Sequence, residues 1–148
     1  MVIDFHCHLG KNYKPLNFQK AEEVGIDDVL AAQDEAGIDF STAIPFPAVY
    51  PEDLWVANGV MLELKHERLF PFVWLNPYLL RSQGFRGVDE SLLVEKIKKS
   101  RVKGLKIHPV CDAYYPSVEL LSPIFEIAQA CNIPILWHTG WASFGEAR

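Results

Sequence analysis

The sequence lacks several features that would place it in a large functional class. Its apolar runs are too short to span a bilayer, and its first residues resemble a strand and not a charged leader before an apolar segment. The net charge is −5, and the short groups of Lys and Arg lie where a helix would end. We therefore expect no membrane partner, no nucleic-acid partner, and a cytoplasmic location.

Cysteine pairs, glycine-rich phosphate loops and linker-like segments are missing as well. The three cysteines, Cys7, Cys111 and Cys131, are widely spaced without a Cys-x-x-Cys motif, which argues against disulfides and zinc ribbons. No Gly-x-Gly-x-x-Gly motif follows the first strand pattern, and no Gly/Ser tract divides the chain. With 49% apolar residues among 148, residues 1–148 are predicted to form one domain with free thiols.

Five short apolar runs, rich in β-branched and aromatic residues, recur along the chain. They are Val2–His6, Ile38–Ile44, Leu69–Leu75, Val102–His108 and Ile133–His138. Their spacing of about 33 residues fits one strand plus one returning helix. The pattern predicts an α/β fold of TIM-barrel-like (β/α) repeats with a parallel sheet. Because eight such repeats would need about 265 residues, we expect an incomplete barrel with about five parallel strands.

The helix boundaries are predicted from residues that favour caps. Ser122-Pro123 is typical of an N-cap followed by proline in the first turn, so a helix is predicted to begin there. Gly37 and Asn132 each precede a predicted strand, where a left-handed residue would end the preceding helix.

The first strand carries the most informative motif, His6-x-His8. Alternate residues of a strand point to one face, so these two imidazoles should lie close together, with Asp4 on the same face to support a ligand. Cys7 would point the other way and pack under a helix. The spacing suits one metal ion, although histidines that form ordinary hydrogen bonds in a buried strand are the alternative explanation.

Two further strand ends present polar groups with matching parity. Lys106 and His108 should face inward while Leu105 and Ile107 face the helices, and His138, just before the break at Thr139-Gly140, matches His8 in position. Neutral imidazoles are good zinc ligands, so His6, His8 and His138 are candidate ligands of a divalent metal, with zinc first. A structural ion pair for Lys106 and a hydrogen-bonded rim position for His108 are the alternatives.

Aromatic and proline residues after the second and third strands should wall a pocket. Phe46, Asn76 and Trp141 are the candidate substrate-pocket residues, and aromatic loop packing alone would explain all of them except Asn76.

Three motifs in register resemble the metal-dependent amidohydrolase superfamily. They are Ile3-Asp4-Phe5-His6-Cys7-His8, Gly104-Leu105-Lys106-Ile107-His108-Pro109 and Pro134-Ile135-Leu136-Trp137-His138-Thr139-Gly140. The chain is most similar to the amidohydrolase 2 branch, which includes aminocarboxymuconate-semialdehyde decarboxylase-like proteins. The resemblance implies that His6, His8 and His138 bind a metal, usually zinc. Some members carboxylate a lysine at the position of Lys106.

The resemblance also implies a histidine after strand six and an aspartate after strand eight, for which this sequence has no positions. The leading expectation is a metal-dependent hydrolase or decarboxylase of a small molecule, in which His108 and Lys106 contact the substrate. One alternative is a non-catalytic relative that acts as a binding or assembly subunit, with a second copy or a partner covering its open sheet edges. A TatD-like nuclease is the other, although the fourth run lacks the glutamate of that family.

Overall fold

The computed structural model describes residues 1–12, 23–48, 50–81 and 89–140. Its strands are β1 (Ile3–Lys11), β2 (Glu23–Val24), β3 (Phe40–Pro45), β4 (Leu69–Trp74), β5 (Gly104–Ile107) and β6 (Ile135–Trp137). Its helices are α1 (Ile26–Ala36), α2 (Pro51–Glu63), α3 (Pro77–Arg81), α4 (Glu90–Lys99) and α5 (Val118–Cys131). None of the helices in these ranges is long and apolar enough to cross a membrane.

The six strands form one sheet in the order β2-β1-β3-β4-β5-β6. The five strands other than β2 are parallel, and each is added beside the previous one in chain order. A doubly wound sheet would reverse this order at a switch point, whereas a (β/α) barrel adds its strands in sequence. The predicted α/β class and incomplete barrel with five parallel strands are therefore confirmed. Strand β2, which pairs antiparallel with β1, was not predicted.

The helices cover one face of the sheet through two apolar clusters. One cluster joins β1 and β3 to α1 and α2, and Cys7 packs against it as expected. The other packs Leu105 and Ile107 of β5 against Leu93 and Ile97 of α4 and against α5. Leu105 and Ile107 thus face the helices, which confirms the parity predicted for this strand and directs Lys106 and His108 to the opposite face.

A register shift in β1 breaks the predicted alternation near its start. Asp4 pairs with Ser41, whose hydroxyl accepts a hydrogen bond from Gln33 of α1, and Cys7 pairs with Ala43 in the helix-facing cluster. Strict alternation therefore does not hold between Asp4 and His8, and Asp4 is not placed on the face of the two histidines. Its carboxylate instead accepts the backbone amide of His6 at 3.0 Å.

The observed helix ends agree with those predicted from the sequence at two of three positions. Gly37 and Asn132 adopt the left-handed conformation, with φ of 69° and 53°, and end α1 and α5 as predicted. The start predicted at Ser122-Pro123 is wrong, because α5 begins at Val118 with Ser117 as its N-cap. Pro123 cannot donate to the carbonyl of Glu119, and the Ser122 hydroxyl makes a long 3.5 Å contact with that carbonyl instead.

Candidate functional site

Strand β1 presents His6 and His8 as neighbours on the inner face of the sheet. Their ring centroids are 5.1 Å apart. The Nδ1 of His8 lies 3.0 Å from the carbonyl oxygen of Pro45, at the end of β3. Because a carbonyl only accepts hydrogen bonds, Nδ1 of His8 must carry the proton when the ring is neutral, which leaves a lone pair on Nε2. His8 therefore has the tautomer of a metal-ligating histidine.

His108 follows β5 by one residue and has the opposite tautomer. The backbone amide of Cys111 donates to its Nδ1 at 3.1 Å, so Nδ1 holds the lone pair and Nε2 carries the proton of the neutral ring. Burial, His138 and Lys106 lower the pKa of His108 from 6.5 to about 3. The neutral ring of His108 is therefore a hydrogen-bond donor at Nε2, suited to an oxygen of a substrate.

His138 follows β6 by one residue and stacks on His108. The two ring centroids are 3.8 Å apart and the ring planes differ by 11°. The Nε2 of His138 is buried and has no hydrogen-bond partner in the described part of the chain. A buried polar atom without a partner is costly in a fold, so this nitrogen is the atom in the cluster that most needs a ligand.

The electrostatics of the cluster favour neutral imidazoles. Burial, together with Lys106 and the neighbouring histidines, lowers the pKa of His6 to about 4. Burial also lowers the pKa of His8 and of His138, and Lys106 lowers both further. All four rings are thus neutral near pH 7, which is the state in which imidazole binds a metal.

Lys106 is the cation of the site and is only 1% exposed. Its Nζ lies 5.9 Å from the ring centroid of Trp74, and no described residue forms a hydrogen bond or ion pair with it. Burial lowers its pKa, while Cys111 and Asp112 act in the opposite direction. A buried ammonium that forms no ion pair with a described residue has the charge that an anionic group would complement.

Sequence reasoning missed the residues that hold this cluster together. Trp74, the last residue of β4, stacks on His108 with centroids 5.5 Å apart, and its indole N–H donates to Asp112 at 2.9 Å. The side chain of Asn58 in α2 bonds to both backbone polar groups of Trp74, each at 2.8 Å. The inward parity of Trp74 could have been derived from the strand pattern. The partnership with Asn58 and Asp112 had no sequence signal.

The three predicted pocket residues have three different outcomes in the structure. Phe46 is brought to the site, because its ring stacks on His8 at 5.0 Å. Asn76 precedes α3 and accepts the backbone amide of Tyr78 at 2.9 Å, with no contact to the histidines in the described ranges. Trp141 lies outside the described residues.

The types of donor in this cluster suit a metal ion, but their present arrangement does not form a complete metal site. His6 and His8 form a close pair of neutral imidazoles, and His138 offers an Nε2 that has no partner among residues 1–12, 23–48, 50–81 and 89–140. However, no group of three His, Cys, Asp or Glu side chains among the described residues is arranged to hold a metal. A site with three imidazoles therefore requires a side-chain movement, and no hydrogen bond from a described residue to Nε2 of His138 opposes one.

Sheet order and strand-end histidines together define a partial (β/α) barrel with a candidate site at the carboxyl ends of its strands. No protein-family model and no curated protein matches the sequence. Among solved structures, the fold is similar to a probable 2-pyrone-4,6-dicarboxylic acid hydrolase from Acinetobacter baumannii with citric acid bound, at a TM-score of 0.58 and 13% identity. The match covers 93% of this chain and 49% of that one, so the chain spans about half of its length. At this identity the likeness shows the fold alone.

Proposed function

We propose that this chain carries the metal-binding and substrate-binding residues of an amidohydrolase-like, metal-dependent hydrolase. His6, His8 and His138 are the proposed ligands of a divalent metal, with zinc the first candidate because neutral imidazoles suit it. The observation that carries the proposal is the state of two ring nitrogens, since Nε2 of His8 offers a lone pair and Nε2 of His138 is buried without a partner among the described residues. Bound metal would supply an activated water and a Lewis acid.

The residues of the chain have separate tasks in this proposal. His108 donates from Nε2 to a carbonyl or carboxylate oxygen of the substrate, because its Nδ1 is occupied by the amide of Cys111. Lys106 binds a carboxylate of the substrate and balances its charge. Trp74 and Phe46 wall the site and hold the imidazoles by stacking. A carboxylate-bearing substrate with a hydrolysable amide, ester or cyclic carbonyl group is the class that these donors suit.

The solved structure with a similar fold supports this class without establishing it. That protein is named as a dicarboxylic acid hydrolase and holds citric acid, a polycarboxylate. Lys106, which is buried and forms no ion pair with a described residue, independently favours an anionic substrate here.

Metal content tests the proposal directly. The wild-type chain should carry about one zinc across its size-exclusion peak. The variant His6→Ala/His8→Ala should lose it, while His66→Ala, which removes a histidine from the connection between α2 and β4, should keep it. Equal metal affinity in the wild type and the double variant would contradict the proposal. Substrate assays with carboxylated amides, esters and lactones then follow.

A non-catalytic binding subunit is the second candidate function. Among the described residues, no carboxylate is grouped with the histidines in a metal-binding arrangement. This favours the second candidate, because such a carboxylate usually accepts the proton of metal-bound water. This candidate predicts that carboxylates bind to the chain without turnover. Metal-dependent turnover by the purified chain would exclude it, and decarboxylation would be distinguished from hydrolysis by release of carbon dioxide.

A further inference from the structure

A groove runs along the outer helical layer between α2 and α4, outside the histidine cluster. It has a volume of about 730 Å³. A smaller cavity of about 200 Å³ continues it and shares Gly59, Leu62 and Lys96 with it. Trp55 and Leu92 line the continuation, and Leu92 remains 47% exposed. The groove is thus elongated and open, which suits a protein segment better than a small ligand that needs enclosure.

The rim of the groove has the opposite charge to the chain as a whole. Four cationic residues, Lys65, Lys96, Lys99 and Arg101, line it against one acidic residue, Glu63. Lys99 pairs with Glu95, whereas Lys65, Lys96 and Arg101 form no ion pair with any described residue. Because the chain has a net charge of −5, a basic groove on it predicts an acidic occupant.

Gly59 makes a close approach to the groove possible. It lies inside α2, where glycine costs about 1 kcal/mol relative to alanine. Apart from its two chain neighbours and the backbone of its own helix, no atom of the described residues lies within 4 Å of the position that a Cβ would take. The packing of this chain therefore does not require glycine at this position, and the open space remains available to a partner.

The exposed face of α1 has the complementary chemistry. Asp28, Ala31, Ala32 and Glu35 share one face of this helix at helical spacing, and all four are exposed. The described helix contains no basic residue, and its opposite face packs on the sheet through Val29 and Gln33. Small alanines allow a close approach at Gly59, while the carboxylates would meet the basic rim.

We propose that the groove between α2 and α4 receives the acidic face of α1 from a second copy of this chain. The contact is heterologous, because the two surfaces differ, so each chain offers one groove and one helix. A chain cannot fill its own groove, since its α1 is held against the sheet. This association does not depend on the proposed function.

Sedimentation of the purified chain tests the proposal. At low salt the average mass should rise above 16.8 kDa with concentration, and at about 0.5 M salt it should fall back, because charges are then screened within a few ångströms. Lys96→Glu should weaken the association about tenfold. Lys98→Glu makes the same charge change on an exposed residue of α4 outside the groove lining, and it should behave as the wild type.

Blocking variants separate this contact from any other. Gly59→Leu should abolish association while its own thermal unfolding stays close to that of the wild type, which shows that the loss is not unfolding. Gly59→Ala should keep or raise thermal stability. Ala32→Lys/Glu35→Lys should also stay monomeric. A mixture of Gly59→Leu with that helix variant retains one intact α1 and one intact groove, so it should form a complex of one chain each and nothing larger. A monomeric wild type, or association that survives Gly59→Leu, would overturn the proposal.

Discussion

Acidification should destabilise the fold through His108, which is only 6% exposed. Its pKa in the folded chain is about 3, against 6.5 for an unperturbed histidine. As the pH falls below 6.5, the unfolded chain binds a proton at this position and the folded chain does not. The stabilising effect is therefore complete above pH 6.5 and is lost progressively as the pH falls towards 3.

The size of the effect follows from the width of this window. Each unit of pH inside it costs about 1.4 kcal/mol, so His108 should remove about 2 kcal/mol of unfolding free energy between pH 7 and pH 5. His6, with a pKa of about 4, acts in the same direction. Its contribution is smaller than its pKa implies, because part of His6 remains exposed and solvent there screens the charge.

Urea unfolding at a series of pH values, with a chelator present, measures this loss. His108→Asn offers an amide oxygen in place of Nδ1 as acceptor for Cys111 and removes the titration. The stability difference between wild type and variant should therefore narrow by about 2 kcal/mol from pH 7 to pH 5. The matched control is His66→Asn, because Nδ1 of His66 also accepts a backbone amide, that of Arg68. Parallel pH profiles for wild type and His108→Asn would refute the reasoning.

Three further substitutions test the packing around the site by urea unfolding. Gly104→Ala should lower the free energy of unfolding by roughly 1–3 kcal/mol, because its Cβ would lie 2.4–2.9 Å from ring atoms of Phe72. The loss should be smaller in a Phe72→Leu background, and an unchanged loss would contradict this explanation. Asn58→Ala should cost about 2–4 kcal/mol by leaving both backbone groups of Trp74 unpaired, and a loss under 1 kcal/mol would show that water replaces the amide. Lys106→Met should stabilise the chain by about 1 kcal/mol or more, because it replaces a buried charge with an apolar side chain. The same variant should bind carboxylates more weakly in calorimetry. A destabilised variant would point to an essential ion pair.

The repeating architecture could be predicted from sequence because its signals are local. Each parallel strand is a short apolar run, and the helix ends at Gly37 and Asn132 need a residue that tolerates positive φ. The antiparallel strand β2 has two residues and carries no periodic pattern, so it could not be predicted. The start of α5 was misplaced because a proline is tolerated inside this helix, where Ser117 provides the N-cap.

The site was only partly predictable, since parity identifies which face a residue points to and not what it touches. Parity brought Lys106 and His108 to the inner face and joined His6 to His8. It failed for Asp4, because the register shift in β1 depends on how β1 pairs with β3. The contacts of Trp74 with Asn58 and Asp112 link residues from three separate segments, so they exist only once the chain is folded.

The backbone resolves an ambiguity that the histidine motifs leave open. Four histidines at strand ends are chemically equivalent in the sequence, and any of them is a possible ligand. A carbonyl at Pro45 fixes one tautomer on His8, and an amide at Cys111 fixes the other on His108. In the proposed function a metal needs a lone pair and a substrate oxygen needs a proton donor, so these two backbone groups would divide the rings between the two tasks. The last residue of β3 and the loop after β5 therefore determine the chemistry of the site as much as the histidines do.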